Sequence, residues 1–548
     1  MRRSPSIANF FVVKTPWRGE ELVGALPAIP ARLPIGSFRV VSIGVLVGLA
    51  SVVAVSLVNP PKLAFALGGL ALLIATMAMK DAKVLWLFLL VLSIPFDISK
   101  WMTAWVVSPY TLARTYGMPA SGTITFELFL TDVVLAAMLL PWLARVCLKR
   151  ERLYFPKIGY LFVFYLAWAL IVSLINAQSL YLSIIELCRE ALYFMSFVYL
   201  INNVATRVQF RSVVLAVFLG LIIGAGSVII FFEEGIGTET VAFVSLHDQP
   251  GETGTSTATG APTLTLHNKD QGHGSEIKRS QGIFRHPAIA ASLCGLTLPI
   301  VLAYLMAARR NRDRILCSVV LAWGLIGLLL TFSRAGLIGL MAGTVVVFAV
   351  GGWSGLISGR VLKLGAVALL LAGALSVPLL GTYLNTRPAT FYMRFNLFEA
   401  ALQGYWQHPI LGVGLNNGTA AMKEGKRELR DEGIQIPNDE SADNHYLVVL
   451  TEVGPVGFIL FFVFFGKIVM VALHAIREAP TEIKPLLVGI VGGLASLATQ
   501  NVSDDALAGH AINATLWLFA AVIIVIARCI QAENQHSRVA GHAAPLRP

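Results

Sequence analysis

Four separated stretches of this 548-residue chain carry side chains fit to hold an anion and move a proton. RSQGIFRHP (279–287) supplies Arg279, Arg285 and His286, and TFSRAG (331–336) supplies Arg334. FYMRF (391–395) supplies Arg394, and DNHYL (443–447) supplies Asp443, Asn444 and His445. A guanidinium stays charged and grips phosphate oxygens two at a time. A histidine, with an unperturbed pKa near ~6.5, takes a proton from an attacking hydroxyl at neutral pH. The combination suits a polyanion attached to lipid. In such a site arginines take the part that a divalent cation plays in other phosphate-leaving-group chemistry.

Each residue alone has an ordinary explanation. An arginine at a span end commonly reaches for headgroups, and Arg394 on an interfacial helix meets lipid phosphate just as well. Gly412, Gly414 and Gly418 in HPILGVGLNNG lack the third glycine of a dinucleotide loop, because Asn417 holds that place, so they read as turn glycines. Ala335, Gly339 and Gly343 suit close helix packing, and His267 and His273 show no metal-ligand spacing. Arg189, between Glu186 and Glu190, reads first as an internally paired charge and second as a further arginine for the anion. The conjunction is more specific than any member.

The elements that must position these groups are membrane spans. The chain is 56% hydrophobic and 13% charged, with a mean hydropathy of +0.72. A soluble domain carries about 25% charged residues, so a soluble enzyme, a disordered chain and a fibre are excluded. About 20 apolar residues cross the hydrocarbon layer. On that basis fourteen spans (twelve at fewest) lie near 40–58, 63–79, 84–97, 126–144, 158–176, 181–203, 212–232, 287–307, 315–332, 335–352, 364–381, 446–466, 485–500 and 507–527. With both termini cytoplasmic, 27 of the 42 Lys and Arg fall on inner segments. The net charge of +11 is thus mostly a topology signal and gives no ground for a nucleic-acid partner. The five cysteines lie in apolar segments or basic loops and imply no disulfide framework.

The expected organisation is a cytoplasmic tail (1–39), N-terminal spans (40–232), a flexible Gly/Thr-rich outer loop (233–286), central spans with SRAG (287–381), a long outer loop (382–445), C-terminal spans (446–527) and a cytoplasmic tail (528–548). Within the long loop, Phe391, Phe395, Phe398 and Leu402 fall at helical spacing. They predict an amphipathic helix on the outer membrane face or over a cavity. All four chemical stretches share that outer side.

The elements SRAG, then R…F…A…W…HPILGVG, then DN-x-YL…L-x-E-x-G-x-x-G resemble the O-antigen ligase and O-antigen polymerase family, with GIFRHP similar to its G-x-F-x-H-P element. The resemblance covers about 279–460. It implies an all-α, GT-C-like bundle in the bacterial inner membrane. It implies a metal-independent, cofactor-free glycosyltransferase whose donor is a glycan on undecaprenyl diphosphate at the periplasmic face. By the same resemblance Arg334 and Arg394 hold the diphosphate. From the residues themselves, Arg279, Arg285, His286, Asn444 and, as its second reading, Arg189 are expected to line the substrate. The acceptor is a growing glycan or lipid A-core, with a chain-length regulator as a potential partner. Family ligases read HN-x-YL. Here Asp443 stands in the histidine's place and His445 follows two residues later, so the base is either Asp443 or His445. DNHYL is closer to the polymerases. A transporter of lipid-linked sugars would place its charges near the midplane and show internal repeats; here most ionisable residues fall at the outer edge, the Arg189 cluster excepted, and the halves show no repeat.

Overall fold

Predominantly apolar helices make up most of the described residues. The computed structural model describes residues 82–96, 99–106, 123–234, 263–265, 276–284, 286–360, 363, 365, 388–431 and 442–542. The N-terminal tail, the expected spans 40–58 and 63–79, and 364–381 apart from Gly365 lie outside these residues, as does most of the loop 233–286. Every other expected span falls on a helix, except that residues 126–129 of the span expected at 126–144 belong to a strand.

In chain order these are α1 (Ala82–Ser93), α2 (Leu130–Cys147), α3 (Gly159–Asn176), α4 (Leu180–Asn203), α5 (Arg207–Glu234), α6 (Pro287–Ala307), α7 (Asn311–Leu330), α8 (Arg334–Trp353), α9 (Pro388–Gln407), α10 (Gly418–Ala421), α11 (Lys423–Asp431), α12 (His445–Glu478), α13 (Lys484–Gln500) and α14 (His510–His542). Among the described residues eight helices are long and apolar enough to cross a membrane. Two short antiparallel pairs, β1–β2 (Ser99–Val106 with Thr123–Phe129) and β3–β4 (Thr263–Thr265 with Glu276–Lys278), are the exceptions to an all-helical plan. The fold is that of a polytopic helical membrane protein.

Helix α3 shows why lipid is the solvent. Phe162, Tyr165, Ala169 and Val172 are buried, while the opposite face exposes Tyr160, Phe164, Leu174 and Ile175. A helix in water would make that second face polar. In hydrocarbon the backbone polar groups are satisfied within the helix, and any apolar side chain serves outside.

The described residues divide into two units, one within 28–144 and 205–337, the other within 145–204 and 338–548. In the first, α5 packs on α1, α6 and α7. The approaches are close, since a Cβ on Gly327 would sit 2.9 Å from Ala225 Cβ and one on Gly220 2.8 Å from Pro95. In the second, α12 packs on α3, α9, α13 and α14. Its core is aromatic: Trp517, fully buried, has Phe162 edge-on at 4.6 Å and Phe194, Phe197, Phe464 and Phe465 around it.

Helix α12 runs on to Glu478, well past the expected 446–466, and is broken inside. Gly454 has φ 65° and ψ −178°, and Pro455 follows. Proline supplies no N–H, so the carbonyls ahead of it need partners from elsewhere, and the loop 408–418 provides them.

Candidate functional site

The loop that repairs α12 is HPILGVGLNNG. Val413 N–H donates to the Thr451 carbonyl (3.0 Å) and Gly414 N–H to that of Glu452 (2.8 Å), while Trp168 Nε1 donates to the Val453 carbonyl (2.9 Å). Irregular backbone at membrane depth survives only where protein satisfies it in this way. Gly412 and Gly414 have φ of +83° and +93°, and a Cβ on Gly412 would lie 2.6 Å from the Glu452 carbonyl oxygen. They are turn glycines, as expected. The loop is tied to α3 and α4 through Asn176 to the Gly412 carbonyl (2.8 Å). Asn417 adds bonds to Ser179 N–H, Ser183 Oγ and the Leu415 carbonyl (2.8, 2.8 and 2.7 Å).

On this platform α12 begins at His445. Asn444 is its N-cap, accepting from Leu447 N–H at 3.0 Å, and its amide donates to the Val502 carbonyl at 2.9 Å. Both ends of the Asn444 side chain, expected to line the substrate, are spent on holding the helix start against the α13–α14 connection. His445 N–H donates to the Asn501 carbonyl there (3.1 Å). Asn501 Oδ1 in turn accepts from Ala506 and Leu507 (3.0 and 3.4 Å), which fixes the connection.

That connection carries Asp504 and Asp505. His445 Nδ1 lies 2.7 Å from Asp505 Oδ1, with both side chains largely buried (13% and 15% exposed). A carboxylate only accepts, so in the neutral ring Nδ1 carries the proton and Nε2 keeps its lone pair. His445 Nε2 is buried and has no hydrogen-bond partner among the described residues. Asp443 lies one residue before the cap and does not join this pair. Its Oδ2 accepts from Arg394 Nε at 3.0 Å, across from α9. Burial raises the Asp443 carboxyl above its usual range, and Asp504 and Asp505 push the same way, against the pull of Arg394. Burial raises Asp504 too, opposed by its hydrogen bond from Gln500 (3.2 Å) and by Arg394.

Asp443 and His445 thus diverge to different partners. The sequence left the base open between them; the geometry distinguishes a histidine backed by a carboxylate from a carboxylate engaged with an arginine.

Arg189 is on α4 in the same unit, beside Glu186 and Glu190. Glu190 accepts from Asn513 Nδ2 at 3.2 Å. Arg334, Arg279 and His286 belong to the other unit. Arg279 Nε donates to the Thr331 carbonyl (3.0 Å) in the turn that precedes Arg334. Ser333 Oγ accepts from Gly336 N–H (3.1 Å), closing the first turn of α8. His286 is the N-cap of α6, its Nδ1 accepting from Ala288 N–H at 3.2 Å. Arg285 lies outside the described residues.

Sequence reading missed Asp504, Asp505 and Glu452. The first two are adjacent acids in the short α13–α14 connection of a charge-poor chain, a detectable signal. Glu452 lies inside a span, where a carboxylate always calls for a reason; here its Oε1 accepts from Gly418 N–H (3.3 Å) and steadies the loop. Among the described residues no three His, Cys, Asp or Glu converge as a metal site would require.

Fold and site together define a multi-pass helical membrane protein with a carboxylate-backed histidine and an arginine-paired aspartate at the start of a broken span. Residues 317–462 match the family model described as O-antigen ligase. The match takes in SRAG, Arg394, the 408–418 loop and DNHYL; Asp505 lies beyond its end. No curated protein matches the chain.

Proposed function

We propose that the protein transfers a glycan from a polyprenyl diphosphate to a sugar hydroxyl at the periplasmic face of the inner membrane. The observation that carries this reading is His445, held by Asp505 at 2.7 Å with Nε2 left unengaged. In the proposed step the acceptor oxygen bonds to the anomeric carbon while its proton passes to Nε2. The bond from that carbon to the diphosphate oxygen breaks, and the lipid diphosphate leaves with the electron pair, inverting the centre. Asp505 stabilises the imidazolium that forms. Arg394 meets the developing charge on the diphosphate by exchanging Asp443 for a phosphate oxygen. Arg334, expected in the same role, heads α8 behind the turn that Arg279 braces.

No step in this scheme needs a divalent cation. Purified protein is therefore expected to turn over in EDTA, and an absolute requirement for Mg²⁺ would count against arginine as the leaving-group partner.

Two acceptors suit the chemistry. Asp443 in the place of the ligases' histidine favours a polymerase joining repeat units, whereas the matched family's description favours a ligase acting on lipid A-core. A glycan gel of a deletion strain separates them. Loss of long chains with single repeats kept means polymerase; finished polymer stranded on the carrier lipid means ligase.

A further inference from the structure

Helix α9 wears its large apolar side chains on the outside. Its inward face is small: Leu397, Ala400 and Ala401 pack with Met422, Leu429 and Ala442, and a Cβ on Gly404 would touch the Ala421 carbonyl at 3.0 Å. Phe395, Leu402 and Trp406 share the opposite face at helical spacing and are 53%, 41% and 69% exposed. Phe398 stacks edge-on beside Phe395 at 6.0 Å. The one charged group amid that stripe, Glu399, is exposed as well. A helix facing water would reverse this arrangement.

The stripe does not stop at the helix end. Ile410, 72% exposed, follows at once, and its carbonyl oxygen backs onto Gly454, where a Cβ would lie 2.5 Å away. From Gly454 the exposed apolar side chains run on down α12 as Val456, Ile459, Val463 and Met470. These belong to a span, so their exposed face meets lipid. The surface of α9 is thus the upward continuation of a lipid-facing surface within one unit.

We infer that α9 lies in the outer headgroup–acyl boundary, with Phe395, Leu402, Trp406 and Ile410 seated in lipid. Aromatic side chains favour that depth, and one carboxylate is tolerated at a hydrated boundary where the hydrocarbon centre would refuse it. The seating puts Arg394, next to Phe395, level with lipid phosphates. It stands whether or not the transferase reading does.

The test is photo-crosslinking of the wild-type full chain in phosphatidylethanolamine–phosphatidylglycerol vesicles. The probe lipid carries a diazirine at the top of its acyl chain, and adducts are mapped by mass spectrometry. Labelling of Phe395–Ile410 to the level of Val456–Met470 is expected, with none on the charged helix Lys423–Asp431. A stripe left bare while Val456–Met470 is labelled overturns the inference. That result holds whether water, a second copy or another protein covers the stripe. As an independent reading, an environment-sensitive dye on Trp406→Cys, with Cys147, Cys188, Cys294, Cys317 and Cys529 changed to serine, should emit as in lipid; emission as in water contradicts the seating.

Discussion

His445 and Asp505, sixty residues apart, meet through a 2.7 Å contact between Nδ1 and Oδ1. The contact exists because Asn444 and the backbone of His445 are pinned to the α13–α14 connection at Val502 and Asn501. It fixes which ring nitrogen carries the proton, which is what a general base must have settled before substrate arrives.

Asp505→Asn keeps the shape but loses the charge. The amide can donate to Nδ1, leaving the proton on Nε2, the wrong tautomer for accepting one. Turnover should fall by about 10²–10⁴-fold, the usual worth of a positioned base, with membrane levels unchanged. Turnover in membranes, normalised to protein, checks this; an Asp505→Asn variant within a fewfold of wild type rules Asp505 out as the positioning group.

Arg394→Lys removes the fork while keeping the charge, and should lose most activity. Asp443→Asn leaves Arg394 in place without its carboxylate partner, so its effect should be the milder of the two. The order reverses if Asp443 is the base. Parallel assays of the two variants read this directly.

Asp443 and Asp504 are both raised by burial above the ordinary 3.8. Between that value and their raised ones, the folded state holds protons that the unfolded state has lost. Stability is therefore lost as pH rises through this window. Asp504→Asn should flatten that decline, seen as a smaller drop in Tm as pH rises above 3.8. A decline as steep as that of wild type would show that Asp504 is not raised.

Gly412→Ala and Gly454→Ala each force a side chain into left-handed backbone, where φ is +83° and +65°. Left-handed backbone costs about 1–2 kcal/mol per residue, and the new Cβ would also press on backbone 2.5–2.6 Å away. Both variants should be poorly folded, visible as aggregation on size exclusion in detergent. Gly355→Ala is the control: its φ is +71°, but nothing lies within 4 Å of its Cβ position, so it should suffer from the strain alone.

The spans and the loop helix were legible because hydropathy and 3.6-residue spacing are local properties. Phe395, Phe398 and Leu402 announce α9 by themselves. The turn glycines at 412 and 414 were legible for the same reason. The role of Gly454 was not, since its φ has meaning only once Val413 and Gly414 are seen to bond α12. Asn444 carried a signal that was read differently: an asparagine just before a long apolar run is an N-cap pattern. The His445–Asp505 pair was beyond reach. Hydropathy puts both at ends of spans, but their contact depends on how α12 meets the α13–α14 connection, which no spacing encodes.

Whether His445 is the base is read most directly from release of lipid diphosphate by purified His445→Ala, given a polyprenyl-diphosphate glycan and its acceptor. The variant should fold and still bind donor but release none above background, while wild type turns over. Release at the wild-type rate would contradict this and remove His445 from the chemistry.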